Sequence, residues 1–180
     1  VYVAYQDNRA GNSDIWVAMT TDGTTWSEDQ VTTDTSEQTD AVIGAFDPTD
    51  EAYVVWTDAR NAADSNGLDI YGAGPSDDWI NRNVATGQGD DHSPATATYV
   101  TAHVLWIRDI GSFSDVLYAN DTNDLPMIGV GILDEPNLVA VNPTVAIETD
   151  GSDTTVFAAW QDNRNAASGD AADIYFVEGG

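Results

Sequence analysis

Aspartate and arginine recur together at the ends of apolar segments, and this arrangement is the one in the sequence best suited to chemistry. Three sets share a pattern in which Asp-x-Arg follows an aromatic anchor and a second aspartate follows a polar loop: Asp7, Arg9 and Asp14; Asp58, Arg60 and Asp69; Asp162, Arg164 and Asp173. The planar guanidinium group of arginine can bind two carboxylates. Because the triplet is repeated, we expect each set to form a structural clasp. A ring of ligand sites, one in each repeat, is the alternative.

Short strands are the elements that must position these clasps. The anchors Tyr5, Trp56, Trp106 and Trp160 recur about every 50 residues, and a second apolar segment beginning Asp-Ile or Asp-Val follows each. With the segments between them, each complete repeat contains four short strands, and helical periodicity is lacking. The repeat predicts an all-β, β-propeller-like fold of about three and a half four-stranded antiparallel blades. A β-solenoid is the alternative, although solenoid repeats are usually shorter.

The repeats divide a single domain, residues 1–180, into blade-like units at about 1–40, 41–92, 93–141 and 142–180. If the strand before each anchor is innermost, the chain begins at the second strand of one blade and ends after the third strand of another. Apolar strand edges left open in this way invite pairing with other chains. We therefore expect a larger or multi-chain propeller, completed by self-association or by further blades of the same polypeptide.

The third repeat departs from the pattern. It contains Arg108-Asp109, with the order of acid and base exchanged, and a short loop before Asp115. Its clasp is therefore expected to be rebuilt with a different geometry or lost.

Longer polar loops follow the anchors of the second and fourth repeats, at residues 61–67 and 165–170. Calcium binds several oxygen ligands in flexible loops, which makes the aspartates in and beside these loops candidate ligands. The candidates are Asp64, Asp69, Asp170 and Asp173. Neither loop has the regular aspartate spacing of a dedicated calcium motif, so calcium is a cofactor hypothesis that rests on composition.

The charge of the chain restricts its partners. There are 31 acidic residues against five arginines, and the net charge is -26. Binding to nucleic acid requires cationic groups that displace counterions from phosphate, so a nucleic-acid partner is excluded. Membrane insertion is not expected, because no apolar run is long enough to span a bilayer. A highly acidic surface suits a saline, halophilic setting, where salt screens the repulsion.

One segment carries a family resemblance. Residues 20–27 read TTDGTTWS, which resembles the Asp-box turn Ser/Thr-x-Asp-x-Gly-x-x-Trp, with Asp22, Gly23 and Trp26 at the motif positions. Gly23 departs from the pattern because it follows Asp22 directly. The chain thus resembles the sialidase-like (BNR/Asp-box) β-propeller repeats of secreted bacterial and archaeal proteins. The resemblance implies an extracellular or cell-surface location, and in that family the Asp-box is a structural hairpin.

Catalysis receives little support from the sequence. Sialidases use an arginine cluster and a Tyr–Glu pair, whereas here only Arg82 and Arg108 lie outside the repeated motif and glutamate is scarce. His92 and His103 belong to no catalytic pattern. We expect a non-catalytic extracellular or cell-surface module for assembly, adhesion or ligand binding, with carbohydrate as one ligand class. The alternative is the non-catalytic portion of a sialidase-like glycoside hydrolase.

Overall fold

A computed structural model describes residues 1–46, 51–64, 67–85, 87–121, 128–132, 138–150, 153–165 and 172–179. Regular structure in these residues is almost entirely β. Two short 3₁₀ turns, Ala62–Asp64 and Pro75–Asp77, are the helical elements of the described chain. None of its helices has the length and apolar character needed to cross a bilayer.

In the described parts of the chain, fourteen strands form four antiparallel sheets in chain order. Sheet 1 contains β1 (Tyr2–Asp7), β2 (Asp14–Met19) and β3 (Ser27–Gln30), and sheet 2 contains β4 (Gln38–Ala45), β5 (Ala52–Asp58), β6 (Asp69–Ala73) and β7 (Arg82–Ala85). Sheet 3 contains β8 (Asp90–Thr98), β9 (Ala102–Ile110), β10 (Phe113–Asp121) and β11 (Ile128–Ile132), and sheet 4 contains β12 (Ala140–Asp150), β13 (Asp153–Asp162) and β14 (Asp173–Gly179). The prediction of an all-β chain is confirmed.

The core consists of three apolar layers, each between two consecutive sheets. Trp56 packs on Ile15 and Val17 of sheet 1, Trp106 lies in one cluster with Val55 and Ile70 of sheet 2, and Trp160 lies with Leu105 and Ile107 of sheet 3. The anchors of sheets 2, 3 and 4 therefore each face the preceding sheet. Central sheets are covered on both faces, which is why every residue of β5 is buried.

The first strands of sheets 2, 3 and 4 share a β-bulge. Asp40, Ser93 and Asn142 adopt positive φ angles of 55°, 53° and 54°, and the pairing register shifts beside each of them. The repeat boundaries predicted at 41, 93 and 142 fall inside these strands, which begin at Gln38, Asp90 and Ala140. The sequence did not reveal the true starts, because the bulge interrupts the period-two pattern from which a strand is recognised.

Candidate functional site

The clasp of sheet 2 is a buried aspartate held by an arginine two residues further on. The Asp58 side chain is fully buried, and Arg60 donates to it from Nε at 2.9 Å and from Nη2 at 2.7 Å. The Asp58 carboxylate also accepts hydrogen bonds from the backbone N–H of Arg60 at 2.9 Å and from Nε1 of Trp56 at 2.8 Å, and the latter ties the clasp to the anchor. Hydrogen bonds of this charge-assisted, two-pronged kind are strong and directional.

The second aspartate of the sheet 2 set has a different partner from the one expected. Asp58 and Asp69 face each other across the ladder, but the hydrogen bond to the Asp69 carboxylate comes from Nδ2 of Asn61, at 2.7 Å. Asn61 also donates to the hydroxyl of Tyr71 at 3.1 Å. The guanidinium group of Arg60 lies over the Tyr71 ring, 4.1 Å from its centroid, which is cation–π geometry.

Sheet 4 repeats the same arrangement. Arg164 binds Asp162, which also accepts a hydrogen bond from Trp160 Nε1 at 3.1 Å. The guanidinium group lies 3.5 Å from the centroid of the Tyr175 ring. Asn165 donates to Asp173 at 2.7 Å and to the Tyr175 hydroxyl at 2.8 Å. The two sheets thus have matching networks. In each, the aspartate of the Asp-Ile-Tyr segment accepts a hydrogen bond from an asparagine, and the tyrosine ring contacts the arginine.

The sheet 1 set is more exposed. Arg9 donates to Asp7 at 2.7 Å and to Glu28 at 3.0 Å, and it lies over the ring of Trp16. The Arg9 side chain is 46% exposed, compared with 21% for Arg60. Asp14 is buried and accepts hydrogen bonds from Thr32 and Gln30 instead of from the arginine.

In sheet 3 the clasp is rebuilt across two strands. Arg108 donates to Asp91 from Nε and Nη2, both at 2.7 Å, and Trp106 Nε1 donates to the same carboxylate at 2.9 Å. Asp91 lies in β8, directly opposite Arg108 in the ladder. Asp109 binds Ser114 and His92 instead. The sequence indicated the exchange but not the partner, which is remote along the chain.

The clasps shift several carboxyl pKa values. Burial raises the pKa of Asp69 above its usual range, and the nearby carboxylates of Asp91 and Asp58 add to the increase. Burial acts in the same direction on Asp162, but hydrogen bonds from Arg164 and Trp160 outweigh it and lower the pKa of that carboxyl. A hydrogen bond from Arg9 lowers the pKa of Asp7. Folding therefore favours the protonated carboxyl of Asp69 but the ionised carboxylates of Asp162 and Asp7.

The Asp-box-like residues form a tight turn between β2 and β3. One carboxylate oxygen of Asp22 accepts from the backbone N–H groups of Thr24 and Thr25, at 2.8 and 2.7 Å, and these bonds lower its pKa. Gly23 has a φ of 73°, a conformation that glycine adopts without strain. Trp26 is about half exposed. The turn is built from local hydrogen bonds.

The candidate metal ligands do not form a cluster in the described chain. Asp69 and Asp173 are bound by Asn61 and Asn165, and the described residues contain no group of three or more acidic or histidine side chains arranged to hold a metal ion. The structure describes Asp64 only through its backbone, in the 3₁₀ turn Ala62–Asp64, and Asp170 lies outside the described residues.

A cleft of about 460 Å³ opens between sheets 3 and 4, at the strand ends opposite the clasps. Buried His103 contacts the Tyr118 hydroxyl through Nδ1 at 2.8 Å and the Thr101 hydroxyl through Nε2 at 2.9 Å. The cleft is lined by residues of β9, β10, β13 and β14 and of the turn before β9: Thr101, His103, Tyr118, Asn120, Thr154, Val156, Ala158, Val177 and Gly179. Burial lowers the pKa of His103, so the neutral imidazole is favoured.

Sequence analysis missed this cleft, although a signal was present. The residue three positions before each anchor is Tyr2, Tyr53, His103 or Phe157 in successive sheets. Tyr2 and Tyr53 belong to the apolar layers that join their sheets to the next one. His103 therefore occupies the position at which sheets 1 and 2 have a tyrosine ring in the layer toward the next sheet. An alignment of the repeats shows this difference.

Fold and clasps together define a class, an all-β protein of consecutive antiparallel sheets held by repeated Asp–Arg pairs. No family model matches the chain, and no curated protein matches it. Among solved structures it is similar to the endo-arabinase of Bacteroides thetaiotaomicron VPI-5482, with 11% sequence identity and a TM-score of 0.55. The match covers 98% of this chain and 69% of that one. At this identity the similarity concerns the fold alone.

Proposed function

We propose that the chain is a non-catalytic extracellular or cell-surface β-propeller module that acts in assembly, adhesion or carbohydrate binding. The observation that carries the proposal is the repetition of the clasp. The arginines of the three repeated sets and Arg108 of sheet 3 are each bound by a carboxylate of their own sheet. Ion pairs of this kind hold strand ends together. Because the same pair recurs in every sheet, we assign it a role in the scaffold.

The propeller arrangement is supported by the outer face of sheet 4. Ile174 and Phe176 are 72% and 61% exposed. By strand register Ile174 corresponds to Ile70, which lies in the layer between sheets 2 and 3. A further sheet of the same kind would cover this face as sheet 3 covers sheet 2. The fold similarity to the endo-arabinase covers 98% of this chain and thus extends over all four sheets, which supports treating them as repeated units of one architecture.

Sheet 1 offers the complementary face. Trp16 corresponds by register to Tyr71, whose ring lies in the layer toward the preceding sheet. Val3 is also exposed. We include in the proposal that these two end faces pack on further sheets, supplied by the same polypeptide or by a second copy. The relationship to the sialidase-like Asp-box repeats is part of the same proposal.

Assembly is tested with a preparation of the 180-residue chain in a buffer of high ionic strength. Light scattering coupled to size-exclusion chromatography is expected to show concentration-dependent association. Phe176→Asp should reduce the association, because it places a charge in the apolar face, whereas Glu178→Gln on the same strand should not. A strictly monomeric protein at every concentration would contradict self-association.

A second candidate function is a portion of a sialidase-like glycoside hydrolase, and the fold similarity to a glycosidase favours it. Incubation with chromogenic glycosides, including a sialoside, separates the two candidates. We expect no release of the chromophore above the buffer rate. Turnover that co-purifies with the protein and is lost on unfolding would overturn the non-catalytic proposal.

A further inference from the structure

His103 introduces polarity into a layer that is apolar between the other sheets. Its counterparts Tyr2 and Tyr53 pack among apolar side chains. The ring of Tyr53 extends over Gly72, where a β-carbon would lie 2.2 Å from the tyrosine hydroxyl, so this volume is filled between sheets 2 and 3. Tyr118 occupies the Gly72 position in sheet 3 by strand register. Tyr118 therefore places a ring where sheet 2 has a glycine, and a cleft lined in part by polar groups lies beside it between sheets 3 and 4.

The lining groups restrict the ligand. Hydroxyl groups of Thr101, Thr154 and Tyr118 and the amide of Asn120 provide both donors and acceptors at the cleft. Side chains of Val156, Ala158 and Val177 provide an apolar wall on sheet 4, the sheet that also contributes Thr154. Among the described residues that line the cleft there is no carboxylate or guanidinium group, although the chain carries a net charge of -26. An anion would be repelled by the protein as a whole, and the described lining offers a cation no carboxylate.

The aromatic pair adds a preformed surface. The rings of His103 and Tyr118 stack with their centroids 6.0 Å apart and an angle of 24° between their planes. The hydrogen bonds that His103 exchanges with Tyr118 and Thr101 fix the orientation of both rings. A volume of about 460 Å³ lies within the usual range for small-molecule sites. The combination of apolar wall, ring pair and hydroxyl groups matches a compound with an apolar face and a hydroxylated edge.

We propose that the cleft between sheets 3 and 4 binds a neutral sugar, with Tyr118 and His103 forming its polar wall and Val177 its apolar rim. The inference rests on the proposed role as a binding module and gives that role a site and a ligand class. The site is independent of the clasps, since it lies at the opposite ends of the same strands. Apolar C–H groups of the ring would face the valines, and the hydroxyls would exchange hydrogen bonds with the polar wall.

The two histidines of the chain provide an internal control for the test. His92 lies at the other end of sheet 3, bonded to Ser93 and Asp109, outside the cleft. Protein labelled at histidine is titrated, by NMR, with methyl glycosides of glucose, galactose and arabinose and with their linear oligosaccharides. N-acetylneuraminic acid is the charged comparison. Saturable shifts of the His103 ring signals, with His92 unchanged, are expected for at least one neutral sugar.

Two variants connect the signal to the cleft. Val177→Phe fills the rim at a residue that is 37% exposed on the edge strand β14, so the change is compatible with folding, and it should abolish the His103 shifts. Val1→Phe makes the same change at an exposed position immediately before β1 and should leave them intact. Tyr118→Phe should weaken binding by about fivefold to tenfold through loss of one hydroxyl.

Absence of any His103 shift, equal shifts of both histidines, a response to the acidic sugar alone, or unchanged binding by Val177→Phe would each overturn the inference. These outcomes leave the assembly measured by light scattering untouched. Conversely, hydrolysis of a bound sugar would overturn the non-catalytic proposal and leave the binding cleft in place.

Discussion

At the scale of residues, the contribution of an Asp–Arg pair to the free energy of unfolding depends on how deeply the pair is buried. In sheets 2 and 4 the arginine binds an aspartate only two residues away, and that aspartate is buried beside the anchor tryptophan. A buried carboxylate that loses its partner is strongly unfavourable, whereas an exposed ion pair contributes little. The same sequence motif should therefore contribute unequally in different sheets.

Arg60→Ala should lower the free energy of unfolding by about 3 kcal/mol, because it leaves the buried Asp58 carboxylate without its cation. Urea unfolding followed by tryptophan fluorescence measures the change. Arg9→Ala is the matched control, and its effect should be much smaller because its pair lies at the surface. Equal losses for the two variants would show that burial does not set the strength of the clasp.

Asp69 should contribute to a pH dependence of stability. Its pKa is raised above the usual 3.8 in the folded protein, so the native state binds the proton more tightly than the unfolded state does. Its contribution is complete below pH 3.8 and is lost as the pH rises through the native pKa. The unfolding free energy of Asp69→Asn relative to the parent should therefore increase with pH over that window and then level off.

Asp162→Asn provides the comparison of opposite sign. The folded state lowers the pKa of Asp162, so its contribution is present above the usual value of 3.8 and is lost as the pH falls through the native pKa. The stability of this variant relative to the parent should fall as the pH rises over that lower window. Urea midpoints measured at several pH values distinguish the two slopes, and slopes of equal sign would show that the assigned pKa directions are wrong.

The partners of these residues show how far the sequence determines the site. Asp58 and Arg60 are close in the chain, so spacing was enough to indicate their contact. The bond from Asn61 to Asp69 depends on how the hairpin closes, and Asp91 reaches Arg108 only through strand pairing. The site residue His103 could be found only by aligning repeats, because a single histidine has no pattern of its own.

At the scale of elements, the β-bulge positions the first strand of sheets 2, 3 and 4. Positive φ at Asp40, Ser93 and Asn142 adds one residue to each strand and changes which side chains face the neighbouring sheet. Aspartate and asparagine tolerate this conformation better than most residues. The sequence predicted the strands through their apolar alternation, but the bulge shifted that alternation, and strand starts were therefore misplaced.

Asn142→Gly should change the unfolding free energy by less than about 0.5 kcal/mol, because glycine adopts positive φ without strain. Thr144→Gly, two residues further along β12 and after the bulge, should lose about 1 kcal/mol, because glycine loses more conformational freedom than threonine when regular strand backbone folds. Thermal and urea unfolding give both values. A loss at position 142 as large as that at 144 would argue against a strained bulge.

At the scale of the whole molecule, charge density opposes compactness. Thirty-one acidic residues and five arginines leave a net charge of -26, while the clasps neutralise only a few of the carboxylates. Repulsion of this kind destabilises the folded chain and is relieved when salt screens it. It also opposes packing of the end sheets against other copies, so stability and association should respond to salt together.

The melting temperature at neutral pH should rise between low and high NaCl concentration. Near the isoelectric point of about 4.1 the net charge is small, so the same salt increase should have little effect there. Differential scanning calorimetry at both pH values tests the expectation. A melting temperature at neutral pH that does not change with NaCl would show that repulsion between carboxylates is unimportant.

The different origin of the sheet 3 clasp has a consequence for the order in which the chain folds. Arg60 and Asp58 are two positions apart in the chain, so their pair can form within an isolated hairpin. Arg108 and Asp91 are 17 residues apart and meet only after β8 has paired with β9. The β8–β9 ladder must extend from its turn, at Thr98 and Ala102, almost to its far end before these two residues meet. Sheets 2 and 4 can thus acquire their clasps early, whereas sheet 3 acquires its own only when its first strand arrives.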